Sequence, residues 1–160
     1  MHRLQKDERE VMPFFVAAIV FTLDRFTKIA ALNMLELGQS IKVIPGILRI
    51  TLVLNDGAAF GLFKGRSVFF VFISLAVIIA IVAYLVKSRR LDRSISIGLG
   101  LILGGALGNL ADRIAFGKVV DFIDFGIWPV FNIADSCITI GAAMIILTTL
   151  LSSKFKTQKS

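Results

Sequence analysis

From Val68 to Val86 the chain carries no charged residue, and almost every side chain in the run is apolar. Roughly 20 such residues in a helix cross a hydrocarbon layer, where only a helix or a closed barrel satisfies its own backbone polar groups. The run therefore predicts a membrane span, and the rest of the chain must be read in that light. Three further apolar segments match it, at about 11–34, 94–115 and 133–151. Hydrophobic residues make up 56% of the 160, and the mean hydropathy is +0.84. Soluble domains are seldom so apolar. The expectation is an all-α membrane protein, a single integral domain over residues 1–160 with four transmembrane helices.

The segments differ in kind. The one over 94–115 holds Gly98, Gly100, Gly104, Gly105 and Gly108, and small residues at that density let helices approach closely in lipid. Pro13 suits a helix start. Arg3, Lys6 and Arg9 ahead of an apolar run resemble a secretory signal, but no small-residue cleavage site follows, so this segment is read as a retained span.

The net charge of +7 is not gathered into one patch, and nucleic acid is not an expected partner. Basic residues sit in the N-terminal tail, in Lys87, Arg89, Arg90 and Arg93, and in Lys154, Lys156 and Lys159. With four spans these three segments share one side, and the bias of Lys and Arg towards cytoplasmic loops makes that side the cytoplasm. Segments 35–67 and 116–132 then face outward. The first is more than a loop, because Ile41-Lys42-Val43-Ile44, a Pro45-Gly46 turn and the β-branched run Ile47–Leu54 predict a small hairpin or sheet over about 40–56. Such a sheet serves either as a lid or as a platform for an extended peptide.

The single cysteine, Cys137, excludes an intramolecular disulfide and a multi-cysteine metal site, and reads as a small buried hydrophobe. With His2 the only histidine, Ser-His and Cys-His catalysis and histidine-ligated zinc are not expected. Neither metal nor cofactor is expected. The carboxylates remain. Asp24 and Lys28 are spaced i, i+4 and share a helix face; by themselves they read as a structural ion pair, since a lone charge at mid-depth costs about 3 kcal/mol. Asn109, Asp112 and Arg113 can share one face at the outer end of their span. Asn132 and Asp135 begin the last span at the same depth, and alone they resemble a capping box. Asn55-Asp56-Gly57 precedes the second span on that side. Polar groups from all four spans thus converge near the outer boundary, and Asp121 lies only 14 residues from Asp135. Trp128 reads as an interfacial anchor, the Phe-rich stretch 69–72 as lipid-facing or packing, and Asp124 as a rim residue.

Five stretches carry a resemblance: Asp24-Arg25-Phe26-Thr27-Lys28, Asn55-Asp56-Gly57-Ala58-Ala59-Phe60, Gly104 through Arg113, Val119-Val120-Asp121-Phe122 and Phe131-Asn132-Ile133-Ala134-Asp135. In this order, on four spans, they resemble the bacterial signal peptidase II family over nearly the whole chain. Arg25 departs from the glutamine of many relatives. The resemblance implies a membrane aspartyl peptidase that cleaves diacylglyceryl-modified prolipoproteins just before the lipidated cysteine. It implies Asp121 and Asp135 as the catalytic pair. Asn55, Gly57, Asn109, Arg113 and Asn132 would bind substrate, with Asp24, Lys28, Asp112 and Ala134 in support. It further implies four helices with an extracytoplasmic β-cradle, a monomer in contact with membrane lipids, and placement in the cytoplasmic membrane with both termini inside and the site at the outer face. Three rivals remain open: a proton-coupled transporter, a metal-dependent transferase using Asp121, Asp124 and Asp135, and a non-catalytic scaffold.

Overall fold

The computed structural model describes residues 2–57, 65–88 and 91–157, with side chains over 11–57, 65–88 and 91–152. Ala58, Ala59, Phe60, Arg89, Arg90, Lys159 and the side chains of the remaining terminal basic residues lie outside the described residues. Among those described, the order is α1 (His2–Met34), β1 (Ser40–Ile44), β2 (Leu48–Asn55), α2 (Ser67–Lys87), α3 (Arg93–Phe116), β3 (Val119–Asp124) and α4 (Ile133–Thr157).

Among the described residues, three helices are long and apolar enough to cross a membrane: Ser67–Lys87, Arg93–Phe116 and Ile133–Ser152. α1 is longer still, at 33 residues, but it carries Asp24, Arg25 and Lys28 in its apolar half. It also begins nine residues before the expected start at 11, so Pro13 lies inside the helix and does not open it. A proline there costs one backbone hydrogen bond, and the helix continues through it into the apolar run that follows.

α3 is the centre of the bundle and packs against α1, α2 and α4. Its glycines are the reason. A Cβ at Gly100 would stand 2.6 Å from the Pro13 carbonyl oxygen, one at Gly104 2.6 Å from that of Ala17, and one at Gly105 2.6 Å from that of Ala134. Two helices therefore touch α3 backbone to backbone, through rows of glycine on different faces. α2 is built the other way, with Val68, Phe72, Ile79 and Val86 all more than half exposed and only Ile81 and Leu85 buried. An apolar surface of that extent belongs against lipid.

The expected hairpin forms. β1 pairs antiparallel with β2 through a turn in which Gly46 takes a φ of 76°. β2 also pairs antiparallel with β3, giving the order β1-β2-β3. β3 lies outside the predicted hairpin, although Val119-Val120-Asp121-Phe122-Ile123-Asp124 has strand composition. The sheet rests on the end of α1, where Leu52, Val120 and Phe122 pack with Ala31 and Leu35. This contact holds a strand bearing Asp121 over the polar ends of α1 and α3.

Candidate active site

α1 and α3 meet in a buried ionic knot. Asp24, Lys28 and Asp112 have no exposed surface. Lys28 Nζ lies 2.8 Å from Asp24 Oδ2 and 2.8 Å from Asp112 Oδ2, and the half-buried Arg25 guanidinium pairs with Asp112 Oδ1. Two cations meet two anions, so the cluster is neutral as a whole. Its remaining valences reach outward. Asp112 Oδ2 accepts from the Val120 backbone N–H at 3.1 Å, and Asp24 Oδ1 accepts from that of Ala134 at 3.0 Å. The knot thereby fixes β3 and the first turn of α4, the two elements that carry Asp121 and Asp135. Ala134 contributes only its backbone and is fully buried.

Three asparagines connect this frame to the aspartates, and in each the amide orientation follows from an obligatory donor. The Asn109 oxygen accepts from Lys28 Nζ at 2.9 Å, so its Nδ2 donates to Asp135 Oδ1 at 2.8 Å. The Asn132 oxygen accepts from the Asp135 backbone N–H at 2.9 Å, and its Nδ2 donates to Asp121 Oδ1 at 2.7 Å. The Asn55 oxygen accepts from the Gly57 N–H at 3.0 Å, and its Nδ2 donates to Asp121 Oδ2 at 3.0 Å. Ammonium and backbone N–H groups cannot accept, which leaves every NH2 aimed at a carboxylate. Asn132 also donates to Asn109 Oδ1 at 3.1 Å, closing a bridge from one aspartate to the other. The sheet register supplies Asn55: Val53 lies opposite Asp121 and Asn55 opposite Val119, so Asn55 is a diagonal neighbour of Asp121 across the strands.

Asn132 is thus the N-cap of α4, as its sequence position suggests, and it does more than cap. The Asp135 carboxylate is held by Asn109, on the side of a cavity of about 340 Å³. Asn55, Gly57, Asn109, Arg113, Asp121 and Asp135 line this cavity together. Asn132, expected to contact substrate, has no exposed surface and lies behind the wall. Asp24, Lys28, Asp112 and Ala134 also lie behind it.

The sequence pattern assigns none of the remaining lining residues to a site. Phe70 of α2 sits beneath Arg113, whose guanidinium carbon is 5.1 Å from the ring centroid. Ile138 and Thr139 follow Asp135 by one turn of α4, and Trp128, Pro129, Val130 and Phe131 form the far wall. Cys137 is half-buried.

Burial is the main influence on Asp121, which is 1% exposed, and the charge of Asp135 acts in the same direction. Together they push its carboxyl up to about 7, against the opposing pull of the Asn55 and Asn132 amides and of Lys28. Asp124, three residues on along β3, faces the other way. Hydrogen bonds from Arg49 foremost, with Thr51 and the Gly126 N–H, hold it down to about 2. It does not line the cavity, so the three carboxylates that a transferase metal would require do not converge.

Comparison with known proteins places this geometry in context. A family model described as signal peptidase (SPase) II matches residues 16–151. The chain is 46% identical to a lipoprotein signal peptidase of Halothermothrix orenii over 136 residues, covering 85% of this chain and 93% of that one. It is 42% identical to one from Pelotomaculum thermopropionicum, covering 91% and 95%. A solved structure described as a bacterial membrane enzyme superposes with a TM-score of 0.85 at 38% identity, over 90% of each chain.

Proposed function

Because the chain belongs to the signal peptidase II family, whose members remove signal peptides from prolipoproteins, we propose that Asp121 and Asp135 are its catalytic pair. The observation that carries this is their meeting on one cavity wall, bridged through Asn132 and Asn109. Carboxylates coupled in this way, with Asp121 buried and Asp135 half-buried, do not both ionise readily, and they share one proton.

Asp121 carries that proton, in keeping with its raised affinity. Asp135 stands in the first turn of α4, where the helix dipole favours an anion. Asp135 takes a proton from a water, and the hydroxide forms a bond to the scissile carbonyl carbon. Asp121 gives its proton to the carbonyl oxygen as negative charge develops there. The tetrahedral gem-diol then collapses: Asp135 passes its proton to the amide nitrogen, the C–N bond breaks, and Asp121 recovers a proton from the diol. The products are a signal peptide ending in a new carboxyl group and a mature chain beginning with a free amine. No covalent enzyme intermediate arises. Arg113, on the cavity wall over Phe70, offers a fixed positive charge to the peptide backbone and the developing oxyanion.

The bond cut is the one just before a diacylglyceryl-modified cysteine. Each buried methylene contributes about 0.8 kcal/mol, so two acyl chains held among the helices fix the depth of the peptide bond. The protein is a monomer with four spans, α1 included, one integral domain, both termini in the cytoplasm and the cavity at the outer face. α1 enters lipid because its charges are balanced inside the bundle. A gel-shift cleavage assay on lipidated precursor tests the reading: native protein cuts it, while Asp121→Asn and Asp135→Asn leave it intact. Equal cleavage of non-lipidated precursor would contradict the anchoring role.

A further inference from the structure

Asp124 stands on the face of β3 turned away from Asp121, yet it is buried and its oxygens are occupied. Arg49 Nε donates to Asp124 Oδ2 at 3.0 Å and Arg49 Nη2 to Oδ1 at 3.1 Å. Thr51 Oγ1 donates to Oδ2 at 2.7 Å, and the Gly126 N–H donates to Oδ1 at 2.7 Å. Such a two-pronged fork fixes direction as well as distance. The sheet makes it possible, because Arg49 lies directly opposite Asp124, and an irregularity between Ile50 and Val53 re-aims β2 between this pair and Val53–Asp121.

Gly126 opens the segment that returns from β3 to α4. It takes a φ of 76°, and Arg49 Nη2 lies 3.1 Å from where a Cβ would stand, so the guanidinium covers the start of this loop. At its far end Phe131 pairs back onto β3, donating to the Ile123 carbonyl at 3.1 Å, and Phe125 stacks on Phe131 at 5.9 Å. Between these two fastenings lie Ile127, which is 94% exposed, and then Trp128, Pro129 and Val130 on the cavity wall. The Gly126 N–H held by Asp124 and the guanidinium over Gly126 fix the start of the loop, and the Phe131 pairing fixes its end.

We propose that Arg49, Thr51 and Asp124 form a clasp that sets the 125–131 loop as the outer wall of the cavity, making Arg49 and Asp124 positioning residues for the extended peptide that binds there. The effect on catalysis rests on the assignment of the cavity as the active site; the effect on the loop does not. The clasp touches neither aspartate, so it acts on substrate acceptance and leaves the chemical step alone. Its ion pair persists through the neutral range, because the Asp124 carboxyl stays ionised well into acid.

Trp128 is the only tryptophan in the chain, so its fluorescence reports the loop without a label. The experiment compares native protein, Arg49→Ala, Arg49→Lys and Asp124→Asn in detergent, by Trp128 anisotropy without substrate and by steady-state cleavage of lipidated precursor. Arg49→Ala is expected to lower the anisotropy and raise KM about fivefold, the scale of one partly exposed ion pair, with kcat within about twofold of native. Arg49→Lys, which keeps the charge and loses the fork, falls between. Thr51→Val supplies the test should Arg49→Ala fail to fold, with a smaller shift in the same two readouts. Unchanged anisotropy in Arg49→Ala and Asp124→Asn, or a fall in kcat with KM unchanged, overturns the clasp. Retained cleavage by Asp121→Asn and Asp135→Asn instead overturns the active-site assignment, and leaves the anisotropy result standing.

Discussion

Two ionic clusters hold this protein's site, and they are built on opposite terms. The Asp24–Lys28–Asp112 knot has no exposed surface, while the Arg49–Asp124 clasp lies at the edge of the sheet with Arg49 nearly half exposed. Charges taken wholly out of water are expensive, and an apolar cluster of the same volume is often at least as stable. The knot is therefore poor evidence of a drive for stability. What it supplies is direction: through Asn109, Val120 and Ala134 it aims two carboxylates at one cavity. The clasp loses little solvation and secures only a loop. Depth of burial separates a device that organises the site from one that trims its rim.

The largest expected effect falls on the two carboxylates that the knot aims. Replacing Asp121 or Asp135 by Asn removes the proposed general acid or base, and kcat on lipidated precursor should fall at least about 10³-fold. Breaking the knot comes next. Lys28→Met leaves Asp24 buried without a counter-charge and Asp112 with Arg25 alone, which typically costs about 3–5 kcal/mol. Thermal unfolding in detergent should show a large loss, and an unchanged midpoint would mean that the knot is dispensable. Gly104→Ala sets a Cβ against the Ala17 carbonyl and should cost about 1–3 kcal/mol by the same measurement. Arg49→Ala is the smallest, a slight loss diminished further by salt, since it breaks a partly exposed pair. Equal losses from Lys28→Met and Arg49→Ala would erase the distinction between the clusters.

The pH dependence sharpens the contrast. The Asp121 carboxyl is raised to about 7, above its value in an unfolded chain. The native state therefore holds a proton that the unfolded state releases, and this contribution to stability is complete at acid pH and is lost as pH rises to about 7. The Asp121→Asn variant should gain stability relative to native protein between pH 4 and pH 8. Asp124 behaves in the opposite sense: its contribution is present above the ordinary carboxylate range and disappears only as pH falls towards about 2. Turnover should decline on the alkaline side as Asp121 loses its proton, and unfolding scans and rate profiles at matched pH check both limbs.

How much of this the sequence discloses depends on how far each feature reaches. α2 is legible at once, because an uncharged apolar run means the same thing wherever it occurs. The convergence of Asp24, Asn109, Asp112 and Asp135 at one depth follows from helix rise and alternating direction. β3 escapes because a strand is recognised largely by its partner, and Val119 pairs with a residue 64 positions earlier. Phe70 escapes for a different reason: its neighbours Phe69 and Phe72 face outward, and composition alone does not say which phenylalanine turns to the cavity. The loop over 125–131 has no period to read, and the role of Asp124 depends on Arg49, 75 residues away. Asn132 was legible as a cap, but the bridge it makes between two aspartates exists only once β3 is laid beside α4.

Infrared titration of the carboxyl groups goes to the heart of the account. The native protein should show a protonated carboxyl band that disappears with a midpoint near 7, absent in Asp121→Asn and displaced to lower pH in Asp135→Asn, because the neighbouring negative charge is gone. A midpoint that Asp135→Asn leaves where it was would mean that the two side chains titrate independently, and would contradict a shared proton.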